Sequence, residues 1–208
     1  MDRVIDGAFR EGWWVVESTG RKDLVVVELC AAGRSHGDTG DGIAKWVRVD
    51  ARDGGLVDVV GLCHEVVAAD LAGREPGTAR PMGALSALGA RNPDVVACVD
   101  GLQHDPVWGQ TVAAAVQVVS HGGVVVLVWD SPALRAEPDG TSPAAGGFDA
   151  GTYRAGLTLG AVLGVACMAA MRCGREIGHV EIVTDRAVPH RLGLVVQVVP
   201  APHPPAAT

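Results

Sequence analysis

Two valine-rich runs with a helical segment between them constrain this chain more than anything else in it. Residues 94–99 (DVVACV) and 124–129 (VVVLVW) are continuous apolar stretches bounded by turn residues. Between them, residues 106–119 carry helical spacing, with Asp105 placed to cap the helix, Pro106 at its first position and Gly122-Gly123 to end it. Side chains alternate across a strand, so a strand that is apolar throughout must be covered on both faces, and β-branched residues suit it. Strand, helix and strand in that order predict a parallel pair joined by a crossover. The expected fold is therefore α/β, a largely parallel sheet with helices on both faces.

The flanking sequence adds elements. Residues 13–16 and 24–29 are short apolar runs separated by Ser18-Thr19-Gly20-Arg21, which reads as two paired strands with a turn. Residues 31–42 form a polar loop with four glycines, and residues 43–49 (IAKWVRV) alternate as a third strand. Apolar positions 56, 59, 60, 63, 66, 67 and 71 share one helix face. The Gly- and Pro-rich stretch 73–81 then marks a boundary between a small N-terminal α+β portion, residues 1–73, and the main α/β domain, residues 82–200. Residues 180–184 and 194–199 read as closing strands, and the tail 201–208 (APHPPAAT) as disordered.

Composition removes several function classes. Apolar residues make up 48% of the 208, enough for a core, while aromatics are only 4%, so Val, Ala and Leu must fill it. The formal charge is −7 and lysine occurs only at Lys22 and Lys45, so no basic stripe is present to neutralise phosphates and no nucleic-acid partner is expected. The N-terminus MDRVIDGAFREG has no apolar core of a signal peptide, which points to a cytoplasmic protein. Residues 155–171 (AGLTLGAVLGVACMAAM) are uncharged, with Gly156, Gly160 and Gly164 every fourth position. That run is short for a membrane span and leads directly into a strand, so it reads as a helix packed on the sheet or on a second copy of itself, giving a homo-oligomer. The five cysteines (Cys30, Cys63, Cys98, Cys167 and Cys173) form no CxxC and read as small buried hydrophobes in a reducing compartment.

Sheets of this kind bind small molecules outside the carboxyl ends of their strands. That rule selects the loop after residue 99 and Asp130 onward. The segment DGLQHDPVWGQTV (100–112) gathers Asp100, His104, Asp105 and Gln110 around one strand-to-helix turn. A histidine beside a carboxylate can move a proton near neutral pH, so His104 and Asp105 are candidate catalytic residues. Asp100, Gln110 and Asp130 are candidate binding residues for a small-molecule ligand. The plainer reading is a solvated histidine beside a helix cap. No metal set is expected: Cys63, His64 and Glu65 adjoin on a helix and face different ways, and His36, Asp38 and Asp41 lie in a Gly-rich loop. Neither a GxSxG elbow nor a phosphate-binding P-loop occurs.

Five pieces in order resemble the C-terminal domain of the lactate racemase-like family, which uses a nickel-pincer nucleotide. They are strand 94–99 with its loop 101–105, the helix opening Gln110-Thr111-Val112, the Gly-Gly strand 122–128, the loop pieces Asp139-Gly140-Thr141 and Gly146-Gly147-Phe148, and the terminal unit HVEIVTDRAVPHRLGL (179–194). Together they span residues 85–199. The resemblance implies isomerase chemistry on a small hydroxy or keto acid, with Gln110 facing the cleft. The family's lysine three positions further on is Ala113 here. The family's N-terminal domain supplies the lysine that holds the cofactor, the acid–base histidines and the nickel ligand, and this chain has no comparable length. The nickel-pincer nucleotide is thus expected only with a partner domain, in a truncated or partner-dependent relative.

Residues 94–132 also look like the later part of a class I methyltransferase, where strand, helix and a Gly-Gly turn lead into a further strand. In that family a Gly-rich loop after the first strand cradles the nucleoside. The counterpart here, VVVELCAAG (25–33), has Glu28 and Gly33 without a GxGxG pattern. A third reading is a non-catalytic protein that self-associates through the glycine-row helix.

Overall fold

The computed structural model describes residues 5–10, 13–18, 23–31, 43–53, 56–74, 82–130, 157–184 and 191–202. Within them a seven-stranded sheet is built from β3 (Leu24–Leu29), β4 (Ile43–Asp50), β5 (Val59–Val60), β6 (Val95–Val99), β7 (Val124–Asp130), β8 (Arg175–Thr184) and β9 (Arg191–Pro200). The strand order is β5-β4-β3-β6-β7-β9-β8. β3 to β7 are mutually parallel, and β9 runs antiparallel to both β7 and β8. The two valine runs pair as expected, in parallel and in register from Val95↔Val124 to Val99↔Val128. Every residue of β6 and β7 is buried. Burying a valine side chain contributes roughly 1.5 to 3 kcal/mol, so these two strands anchor the fold.

Four helices are described: α1 (Cys63–Ala72), α2 (Ala84–Ala87), α3 (Trp108–Val118) and α4 (Leu159–Arg172). They join a single hydrophobic cluster. Val67, Leu85, Val112, Val116, Val162 and Ala166 cover the β-strand side chains Val27, Val96, Cys98, Val125, Leu127 and Trp129. The opposite face, with Val26, Val95, Ala97, Val126 and Val128, is also buried, and no described helix packs on it. The prediction of an α/β sheet with helices holds; among the described residues the helical layer lies on one face.

Tertiary pairing moved several boundaries. β2 (Trp13–Ser18) does not pair with the strand at 24–29; it forms an antiparallel hairpin with β1 (Ile5–Arg10), while β3 lies at the centre of the large sheet. Strands from both sides of the 73–81 stretch share that sheet. The helix expected over 56–71 begins only at Cys63, because Val59 and Val60 extend the sheet edge beside Val49 and Asp50. The helix expected from Pro106 starts at Trp108, preceded by a 3₁₀ turn at Leu102–His104. Positions 139–141 and 146–148, and the tail from 203, lie outside the described residues.

The amino ends of the central strands are closed tightly. Gly122 has φ +79°, and a Cβ on Gly123 would come within 2.8 Å of the Asp94 carbonyl oxygen, so glycine is required where the chain turns into β7. Arg175 at the start of β8 donates through Nη1 to the Val116 and Val119 carbonyls at 3.2 and 2.7 Å, satisfying the C-terminus of α3. Asp70, fully buried in α1, accepts from Arg74 Nε at 2.9 Å and from the Ser86 backbone N–H at 2.7 Å, which ties α1 to α2.

Candidate functional site

The strand order fixes where a site can form. From β3 the chain steps outward to β4 and β5, then returns to place β6 on the other side of β3. Crossovers on the two sides diverge at such a reversal and leave a crevice outside the carboxyl ends of the strands. Here that crevice lies beyond Leu29 and Val99.

Backbone geometry is unusual at this point. Cys30 and Asp100, each the first residue after its strand, both occupy the left-handed region, with φ of 58° and 54°. These are the non-glycine residues with positive φ among those described, and such a conformation costs roughly 1 kcal/mol or more per residue. A Cβ on Gly101 would lie 2.3 Å from Cys30 Cβ, so the two strand exits pass in direct contact.

Asp100 and Asp130, chosen from the sequence, are brought together by Arg191. Arg191 Nη2 donates to Asp100 Oδ2 at 2.8 Å, and its Nε lies 3.8 Å from Asp130 Oδ1. Arg191 opens β9 directly opposite Asp130 in the antiparallel register. The guanidinium spans the tips of β6 and β7 and holds Asp100 in its left-handed turn.

His104 closes the 3₁₀ turn and is half-buried. Burial, then the nearby charge of Arg52, lowers its imidazole below the ordinary 6.5, against a smaller opposing pull from Asp130. A neutral imidazole at this place can accept a proton. Asp105 has a different job. Its Oδ1 accepts the Val107 backbone N–H at 2.8 Å and its Oδ2 accepts the Thr111 hydroxyl at 2.6 Å, so it organises the start of α3. Gln110 is exposed and lines an open groove of about 580 Å³ between α3 and α4, along with Trp108, Gln117, Gly164, Met168 and Arg172. It does not join the group at the strand tips.

Three buried polar side chains the sequence reading passed over lie in or just after the carboxyl ends of the strands. Asp50 ends β4, is 7% exposed, and accepts the Arg52 backbone N–H at 2.8 Å. Its place about twenty residues beyond the first central strand was a usable signal, because dinucleotide-binding folds put a ribose-binding carboxylate there. Gln103 is 3% exposed and its Oε1 has no hydrogen-bond partner among the described residues. Trp129 Nε1, fully buried, also lacks one. Nothing in the sequence distinguishes Gln103 or Arg191 from ordinary surface polar residues. Among the described residues no group of three or more His, Cys, Asp and Glu side chains could hold a metal ion, and no helix is long and apolar enough to cross a membrane. Gly160 and Gly164 face open space rather than the sheet, since a Cβ on either would meet nothing within 4 Å.

No protein-family model and no curated protein matches the sequence. Solved structures with a similar chain course include a candidate exported protein from Bordetella parapertussis (15% identity, TM-score 0.46, covering 87% of this chain and 63% of that one). A protein from Streptococcus mutans assigned as a SAM-dependent methyltransferase gives 6% identity and a TM-score of 0.48, over 95% of this chain and 56% of that one. A SAM-dependent methyltransferase from Archaeoglobus fulgidus gives 10% and 0.47, covering 86% of each chain. This chain thus spans less than two thirds of the first two. With every TM-score below 0.5, the functional reading rests on this chain's own geometry.

Proposed function

We propose that this chain binds a nucleoside-bearing cofactor of the S-adenosylmethionine class at the β3–β6 reversal and is a methyltransferase-like protein. The observation that supports this reading is the crevice at the strand reversal with Asp50 at the tip of the neighbouring strand. A carboxylate there accepts hydrogen bonds from vicinal ribose hydroxyls. The donor set fits a nucleoside in a second respect: Gln103 Oε1 is a buried acceptor in want of a donor.

Such a cofactor, when bound, carries an electrophilic methyl group on a sulfonium. The chain's own residues would bind and orient. Asp50 holds the ribose, and the Cys30–Gly101 contact sets the floor beneath it. His104, held neutral, accepts a proton from a nucleophilic substrate, and Arg191 keeps Asp100 and Asp130 paired beside it. The lactate racemase-like reading ranks second, because it needs Gln110 in the cleft and Gln110 lines the α3–α4 groove instead.

Thermal unfolding with and without S-adenosylhomocysteine tests the proposal. A ligand at a hundred times its dissociation constant adds about 2.7 kcal/mol, which for a chain of this size raises the midpoint by roughly 5 to 10 °C. Asp50→Ala should abolish the rise. No rise at millimolar ligand would sink the reading.

A further inference from the structure

Three of the five cysteines, read from the sequence as isolated hydrophobes, converge at the strand reversal. Cys30 follows β3, Cys98 lies in β6 and Cys63 opens α1. Cys30 Sγ is 3.6 Å from Cys63 Sγ, and the Cys30 backbone N–H donates to Cys63 Sγ at 3.2 Å. The Cys98 thiol reaches Cys30 as well, and a Cβ on Gly101 would sit 3.4 Å from Cys98 Sγ.

We propose that Cys30 and Cys63 form a redox-active dithiol that closes to a disulfide, pinning the exit of β3 to the N-terminus of α1. A disulfide needs its sulfurs about 2.05 Å apart, so the pair must approach by roughly 1.5 Å. Cys98 is the poorer partner: it is fully buried and fixed in a strand paired on both sides.

The co-reactant is a small-molecule disulfide such as oxidised glutathione. Cys30, the less buried member of the pair although its thiol too is held well above its ordinary value, loses its proton to solvent and attacks one sulfur of that disulfide. The small S–S bond breaks, one glutathione leaves as thiolate and takes up a proton, and a mixed disulfide remains on Cys30. Cys63, deprotonated in turn, attacks the Cys30 sulfur and releases the second glutathione. Two protein thiols are oxidised to one cystine, and one glutathione disulfide is reduced to two thiols. The shared hydrogen bond with Cys30, and then burial, push the Cys63 thiol far above its ordinary value, which slows its exchange.

The consequence for ligand rests on the proposed function. Cys30 stands at the exit of β3, against Gly101 beside the proposed crevice, so closure should weaken S-adenosylhomocysteine binding tenfold or more.

The test equilibrates the full chain against oxidised and reduced glutathione, blocks residual thiols with N-ethylmaleimide and maps linked peptides by mass spectrometry. The expected result is a Cys30–Cys63 link that is absent in Cys63→Ser, with a higher unfolding temperature of the oxidised wild type from the closed loop. A link through Cys98, Cys167 or Cys173, a glutathione adduct on Cys30 that never resolves, or no oxidation at all would overturn the proposal. Should Cys63→Ser fail to fold, Cys30→Gly serves, since glycine adopts the left-handed φ without strain. Titrating both forms with S-adenosylhomocysteine separates the two ideas. The mapped link without ligand binding in either form removes the cofactor reading alone, and equal affinity in both forms removes the regulatory consequence.

Discussion

The two ends of the same central strands are built to opposite standards. At the amino ends of β3, β6 and β7 the polar groups are matched. Asp94 gives Oδ2 to the Val25 N–H at 3.0 Å, its own N–H donates to the Val25 carbonyl, and its carbonyl accepts from Val124. Gly122 and Gly123 exchange backbone hydrogen bonds with Val198. At the carboxyl ends, two non-glycine residues sit at positive φ, Gln103 Oε1 and Trp129 Nε1 lack partners among the described residues, and an arginine spans two carboxylates. Strain and unmatched polar atoms cost stability and persist where a ligand gives them a use. One end of the sheet holds the fold together; the other holds the proposed site.

Substitutions can break this contrast. Gly123→Val should have the largest effect, a loss of about 3 kcal/mol in urea unfolding, because its Cβ would overlap the Asp94 carbonyl and Val119. Ligand affinity of the molecules that remain folded should be unchanged. Arg191→Ala, at the other end, should cost about 2 kcal/mol by leaving Asp100 and Asp130 facing each other without their cation. If the loss in the double variant Arg191→Ala, Asp100→Ala equalled the sum of the two single losses, Asp100 would draw nothing from the arginine.

Asp94→Ala should cost about 1.5 kcal/mol, from a hydrogen bond that spans strands, with no change in ligand binding. Asp50→Asn inverts that pattern. Calorimetric titration should show roughly tenfold weaker S-adenosylhomocysteine binding, about 1.4 kcal/mol. If Asp50→Asn destabilised the fold and left affinity alone, the division between the two ends would be wrong.

The smallest effect concerns pH. The folded-state pKa of His104 lies below its unfolded value, so the unfolded chain binds more protons and stability falls as pH drops through 6.5 and on through the folded value. His104→Gln should flatten that slope by less than one proton, measured as the pH dependence of the urea midpoint. An unchanged slope would show that the imidazole titrates alike in both states.

How far the sequence could be read follows from the range of the interactions. The unit from 94 to 130 was legible because continuous valine, a helical segment and a Gly-Gly turn are local signals that agree. The placing of Asp100, His104 and Asp130 near the strand tips was legible because it follows from where the strands end. Residues 24–29 were misplaced as a hairpin partner of 13–16, since an apolar run does not say whether its neighbour is near or distant in sequence.

The sequence by itself determined the existence of a buried parallel core and the loops that leave its strands, because periodicity and turn residues act within a few positions. Only the tertiary structure decided that β3 sits at the centre, that Arg191 spans Asp100 and Asp130, and that Cys30 and Cys63 meet. Those contacts join residues far apart in the chain. Strand order and register set them, and side-chain identity leaves both open until the whole sheet has closed.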